Sequence, residues 1–166
     1  MRDTSTGEGP APRPDAAPPP RIFHLSFPAS AISVRSSLRA ALARFARVMT
    51  PDEAGTLELI LAEVLNNIVE HSYRDTGVGT ITLSMVRDTQ GLSCSVSDDG
   101  VPLPMTCLSQ TDNKDSRPSP ESLPEGGFGW FLIRDLATNL GYTRDGNRNL
   151  LAFRLPLAPM LVRAAG

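Results

Sequence analysis

From Arg21 onward the apolar positions repeat with two distinct periods. Ile22-Phe23-His24-Leu25-Ser26-Phe27 alternates apolar with mixed side chains and predicts a short strand ended by Pro28. Over residues 30–48, Ile32, Val34, Leu38, Leu42, Phe45 and Val48 fall near helical spacing, with Arg35, Arg39, Arg44 and Arg47 between them. Thr50-Pro51-Asp52-Glu53 then offers a capping Thr, a Pro at the first helical position and a Glu at the third, the signature of a helix start. The helix it opens should run to about His71, with Leu57, Ile60, Leu61, Val64, Leu65 and Ile68 on its apolar face.

After a turn at Asp75–Gly79, Thr80–Val86 and Leu92–Ser97 read as two strands of a hairpin joined through Asp88–Gly91. Between Asp99 and Glu125 the chain is rich in Pro, Ser, Asp and Gly and shows little periodicity, which in a compact domain points to a functional or disordered loop. Gly126-Gly127 ends that stretch. Phe128–Leu140 reads as a third helix stopped by Gly141, and strands at Tyr142–Arg144 and Leu150–Leu155 flank the turn Asp145-Gly146-Asn147. The order β-α-α-β-β-loop-α-β-β predicts an α/β (α+β) two-layer sandwich, with three helices on one face of a mixed, largely antiparallel sheet. The expected folded domain is 21–158, with a proline-rich disordered tail over 1–20 and a short tail over 159–166.

Composition narrows the function classes. The chain has 166 residues, 40% of them hydrophobic and 20% charged, as expected of one soluble domain. A formal charge of −2 gives no generic nucleic-acid or membrane surface, and Lys114 is the single lysine. No apolar run approaches the roughly 18 residues that span a bilayer, and the N-terminus lacks the apolar core of a signal peptide, so a cytoplasmic location is expected. Cys94 and Cys107 fit no metal-ligand spacing and read as free thiols.

Three constellations carry candidate chemistry. Glu63, Asn67 and His71 are spaced four apart and form one stripe of the second helix, broadened by Asn66 and Glu70. An adjacent Asn pair inside a well-formed helix is a local cost, because the amides compete for backbone hydrogen bonds. Val96-Ser97-Asp98-Asp99-Gly100 ends a strand. There a carboxylate backed by the sheet can accept a hydrogen bond from an exocyclic amine, and the glycine permits close approach. Glu125-Gly126-Gly127-Phe128-Gly129-Trp130-Phe131-Leu132-Ile133 runs glycines into a helix, where free amides and the helix dipole favour an anion. It is neither a P-loop, since no Gly-Lys-Ser/Thr follows, nor a dinucleotide fingerprint, since no strand precedes it.

Taken in order, these segments resemble the N, G1 and G2 boxes of the GHKL (Bergerat-fold) ATPase superfamily over roughly residues 22–157. Within it, Ala62–Tyr73 and Gly126–Ile133 look like the corresponding boxes of the stand-alone anti-sigma-factor serine kinases. The resemblance implies ATP and magnesium as cofactors. It implies that Glu63 is the catalytic base and that Asn67 is a magnesium ligand. Asp98 would receive the adenine amine, and Gly100 would line the base pocket. Gly126, Gly127, Phe128 and Gly129 would lie at the phosphates, with His71 in the ATP site. Residues 101–125 would form the ATP lid, from which Lys114 or Arg117 would reach the phosphates. Two departures stand out: Pro102 occupies the second glycine of the G1 box, and Asn149-Leu150-Leu151 offers no Ser or Thr to the nucleotide.

The function so implied is a protein serine kinase and anti-sigma factor. It would phosphorylate an anti-anti-sigma (STAS-type) partner and sequester a sigma factor, as a homodimer through the first helix and the sheet edge, without direct contact to nucleic acid or membrane. The same motifs would serve an ATP-gated regulatory binding protein without significant kinase activity. The catalytic fragment of a sensor histidine kinase is a further alternative, against which residues 1–48 look too short for a phosphoacceptor helical hairpin.

Overall fold

The computed structural model describes residues 20–104 and 127–158. Its elements are β1 (Arg21–Pro28), α1 (Ala31–Phe45) with a 3-10 turn at Ala46–Val48, α2 (Pro51–Ser72), β2 (Thr80–Arg87), β3 (Gly91–Asp98), α3 (Gly127–Leu136), β4 (Thr138–Asp145) and β5 (Arg148–Pro156). The strands form one sheet in the order β1-β2-β3-β5-β4, antiparallel at every described pairing. This is the expected sandwich, with its largely antiparallel sheet antiparallel throughout.

Strand parity decides which residues meet the helices. Phe27 of β1, Ile81, Leu83 and Met85 of β2, Leu92, Cys94 and Val96 of β3, and Leu151, Phe153 and Leu155 of β5 are buried in one cluster. The opposite face pairs small polar groups in register: His24 Nδ1 lies 2.7 Å from Ser84 Oγ, and Ser26 Oγ lies 2.8 Å from Thr82 Oγ1. Each inward row ends on a polar residue. Arg87 closes the β2 row at one end of the sheet; Asp98 and Asn149, opposite one another on β3 and β5, close their rows at the other.

α2 starts as its sequence dictates. Thr50 Oγ1 accepts from the Glu53 amide at 3.2 Å, and Glu53 Oε2 accepts from the Thr50 amide at 2.8 Å. Leu57, Ile60, Leu61, Val64, Leu65 and Ile68 are buried along its core face, each contributing about 1.5–3 kcal/mol relative to exposure. The segment that follows β5 is tied to this helix start. Ala158 N donates to Glu53 Oε1 at 2.7 Å, and the buried Arg87 donates to Ala158 O at 2.7 Å and to Gly91 O at 3.1 Å. Burial works against the Glu53 charge, yet the backbone amides of Thr50 and Ala158 hold its carboxyl below the usual value.

Two expectations are corrected. Ile32, assigned to the apolar face of α1, is 81% exposed, and Ala41 and Ser37 are buried instead. The third helix ends at Leu136 rather than Leu140. The Ile133, Leu136, Leu140 spacing mimics a continuing helix, but Asn139 adopts φ 53°, and Thr138 already pairs with Arg154 of β5. Cys94 is a free thiol, buried, with its pKa pushed up to about 12 by that burial. Cys107 and both expected tails lie outside the described residues, apart from Pro20.

Candidate functional site

The stripe on α2 faces α3. Asn67 is 7% exposed, Glu63 and His71 are half-buried, and Asn66 and Glu70 are exposed. Gly129 in the first turns of α3 is buried against this stripe. A Cβ there would lie 2.2 Å from Glu63 Oε2 and 3.5 Å from Asn67 Nδ2. The two segments, some sixty residues apart in the chain, therefore meet where a carboxylate, an amide and a glycine-bearing helix start share one place. Gly127 is the first residue of α3 and Phe128 the second; Gly126, Lys114 and Arg117 lie outside the described residues.

Asn67 Nδ2 is buried and has no hydrogen-bond partner among the described residues. An orphaned buried amide costs about 1–3 kcal/mol. A phosphate oxygen would satisfy its NH2 group, and its oxygen is a hard donor suited to magnesium. The donor set thus fits a nucleotide with its cation. Trp130 Nε1 and Ser72 Oγ are buried and unpartnered in the same way.

Asp98 is 3% exposed at the end of β3. Burial raises its carboxyl above the ordinary aspartate value, partly offset by hydrogen bonds from Asn149 and the Gly100 amide. Both bonds fall on Oδ1, at 2.8 Å from Asn149 Nδ2 and 2.9 Å from Gly100 N. Asn149 is not among the expected site residues; Asn149-Leu150-Leu151 enters the sequence reading only as a strand start without a Ser or Thr for the nucleotide. Parity along Asn149, Leu151, Phe153 and Leu155 is the signal that places it inward, opposite Asp98.

The turn after Asp98 is pressed onto the end of α2. A Cβ at Gly100 would lie 2.4 Å from Ser72 O, and Val101 N donates to that same carbonyl at 3.0 Å. Asp99 faces the other way: its Oδ1 accepts from Tyr73 OH at 2.5 Å and from Thr80 N at 3.2 Å. The Tyr73 hydroxyl, then the Thr80 amide, hold the Asp99 carboxyl below its usual value. Burial, then Asp99, push the Tyr73 phenol well above its own. Past Pro102 the chain remains pinned, since Leu103 N donates to Tyr142 OH at 3.2 Å and Arg144 donates to Gly100 O at 3.0 Å. The start of the expected lid is thus fastened to the β4–β5 hairpin as far as Leu103.

Sequence comparison agrees with this geometry. The Histidine kinase-like ATPase domain family matches residues 27–155. The chain is 30% identical over 102 residues to the Serine-protein kinase RsbW of Bacillus mycoides (strain KBAB4), covering 60% of this chain and 62% of that protein. It is 29% identical over 102 residues to the RsbW of Bacillus cereus (strain G9842), with the same coverage of 60% and 62%. It is also 30% identical over 112 residues to Blue-light-activated histidine kinase 2 of Erythrobacter litoralis (strain HTCC2594), covering 64% of this chain and 29% of that protein. The alignments thus span less than two thirds of each relative. No helix among the described residues is long and apolar enough to cross a membrane. Matched over most of its length, the chain belongs to the histidine kinase-like ATPase domain family.

Proposed function

We propose that this chain is an ATP-dependent protein serine kinase and anti-sigma factor whose domain spans 21–158. The observation that carries the reading is the convergence of Glu63, Asn67 and Gly129 at the start of α3, with the buried acceptor Asp98 at the end of β3, whose following turn packs on the end of α2. Asp98 receives the adenine amine through the carboxylate oxygen that Asn149 and Gly100 leave uncommitted. Gly100 lines the base pocket. The amides around Gly126, Gly127, Phe128 and Gly129 bind phosphate oxygens at the helix start, where the dipole favours an anion. Asn67 holds magnesium, which neutralises phosphate charge when bound. His71 continues the stripe at the edge of the site, and Lys114 and Arg117 are the lid cations.

Glu63 accepts the proton of a serine hydroxyl as that oxygen attacks the γ-phosphorus and ADP leaves. A positioned base of this kind adds about 10²–10⁴-fold. The serine belongs to an anti-anti-sigma (STAS-type) protein, and the kinase, as a homodimer in the cytoplasm, sequesters a sigma factor once that antagonist is phosphorylated. Similarity to proteins named serine-protein kinase supports this assignment, since the alignment covers 62% of that relative and 29% of the one named a histidine kinase.

Titration calorimetry with magnesium-ATP tests the site, and phosphate transfer to a STAS-type substrate tests the activity. Binding that is weakened in Asp98→Asn and insensitive to magnesium in Asn67→Ala supports the site. Absence of binding at millimolar ATP removes it. Transfer at the full rate by Glu63→Ala overturns the base assignment. Tight binding without transfer to any such substrate favours an ATP-gated binding protein.

A further inference from the structure

We infer that Asn149, held by Tyr142 and Arg144, is the positioning residue that fixes Asp98 as a one-oxygen hydrogen-bond acceptor and thereby sets the site's preference for an exocyclic amine over a carbonyl. The inference rests on the nucleotide reading above and deepens it.

The geometry allows Asn149 one role. It is 1% exposed. Its Nδ2 faces Asp98 Oδ1 at 2.8 Å, Gly100 O at 3.2 Å and Val101 O at 3.1 Å. Its Oδ1 faces two donors, Tyr142 OH at 2.7 Å and Arg144 at 2.5 Å. An amide with acceptors on one side and donors on the other has a single stable orientation. Both of its hydrogens and its oxygen are engaged, so nothing remains for a ligand. What Asn149 does is commit Asp98 Oδ1. The Gly100 amide occupies the same oxygen. The carboxylate is therefore fixed in rotation, and Oδ2, which takes no hydrogen bond from the described residues, is the oxygen left to accept from a base.

An ionised Oδ2 accepts from the amine of adenine and repels the carbonyl that replaces it in hypoxanthine. A protonated Asp98 would donate to that carbonyl instead. Discrimination therefore depends on keeping a buried carboxyl ionised, against the desolvation that raises its pKa, and the hydrogen bond from Asn149 is the main influence opposing that rise. The other charged or titratable groups around it are Asp99 on its own turn, Tyr73 at the end of α2 and Arg144 on β4, with Tyr142 of β4 against Asn149. Asp99 opposes ionisation of Asp98, and Arg144 favours it.

The test has two arms on the full chain. The first follows the Asp98 carboxyl by carbon-13 NMR titration without nucleotide, assigned by its loss in Asp98→Asn. The second measures ATP and inosine triphosphate binding across pH. Asn149→Ala should move the Asp98 titration to higher pH, bring the acid loss of ATP affinity up with it, and cut the ATP-over-inosine ratio by about tenfold, the scale of one supporting hydrogen bond lost. Tyr142→Phe keeps the Asn149 side chain and removes one of its donors; it should shift the same observables less. Should Asn149→Ala fail to fold, Tyr142→Phe decides. Folded variants with an unmoved Asp98 titration and an unchanged ratio overturn the inference. A wild-type chain that binds neither nucleotide overturns it through its premise, and the first arm then shows whether the hold on Asp98 itself was correctly read.

Discussion

Gly129 of α3 stands against the carboxylate of Glu63 on α2, so closely that a methyl group at 129 would come within 2.2 Å of Glu63 Oε2. The atom it would meet is the tip of a flexible side chain, which can swing away. The backbone of α3 can therefore stay in place, and alanine is the better helix former by about 1 kcal/mol. Gly129→Ala should melt no lower than wild type; on the proposed function it should also transfer phosphate about a hundredfold more slowly, because the carboxylate proposed as base is displaced. Paired melting and kinase measurements check this. Loss of stability together with activity would point instead to a shift of the whole helix.

Gly100 gives the opposite expectation from similar crowding. Its added methyl would meet Ser72 O at 2.4 Å and Ser72 Cβ at 2.6 Å. A backbone carbonyl at the end of a helix cannot rotate aside, so the turn must lift from α2. Overpacking of this kind costs about 1–3 kcal/mol. Gly100→Ala should lower the denaturant midpoint and weaken nucleotide binding together, as equilibrium unfolding and calorimetry will show.

Asp98 and Asp88 should act on stability with opposite signs. The Asp98 carboxyl is raised by burial. Its folded pKa exceeds the unfolded one, so its contribution is most favourable at low pH and is lost as pH rises through the folded value. Asp98→Asn should therefore melt higher than wild type at neutral pH, and lose that advantage on acidification. The Asp88 carboxyl is held down first by Arg154, 2.6 Å away, and then by the Gln90 amide. Its contribution is present above the unfolded value and lost as pH falls through the folded one, so Asp88→Asn should flatten the acid limb. Melting temperatures from pH 3 to 8 distinguish the two.

The Tyr73 hydroxyl serves three partners at once. It donates to Asp99 Oδ1 or to Thr80 O and accepts from Asp99 N. Tyr73→Phe removes one donor from the exposed Asp99 carboxylate and leaves the Asp99 backbone amide short of its partner, at about 0.5–1.5 kcal/mol. Chemical denaturation should show that loss, with faster amide exchange at Asp99.

Much of this was legible in the chain because local signals agreed. The Thr50–Glu53 capping box and the apolar face from Leu57 to Ile68 define α2, and four-residue spacing alone puts Glu63, Asn67 and His71 on one stripe. That the stripe meets Gly129 follows only from the packing of α3 on α2. Asn149 was missed because its partner lies 51 residues away and is selected by strand register rather than by any nearby residue. Arg87 was missed for a related reason. Its parity places it inward, and a charge there is tolerable only because carbonyls from the β2–β3 turn and from Ala158 converge on it. The end of α3 was misjudged because Leu136 and Leu140 keep helical spacing across a bend at Asn139.

α2 is a rod of 22 residues, about 33 Å long, fastened at both extremities. Its first turn is laced to Ala158 through Glu53, and its last residues carry the turn that follows Asp98. Sliding or tilting this rod along the sheet would break these ties. The Glu63–Asn67 stripe therefore sits on a wall braced from both sides, and Gly129 faces it from the helix opposite.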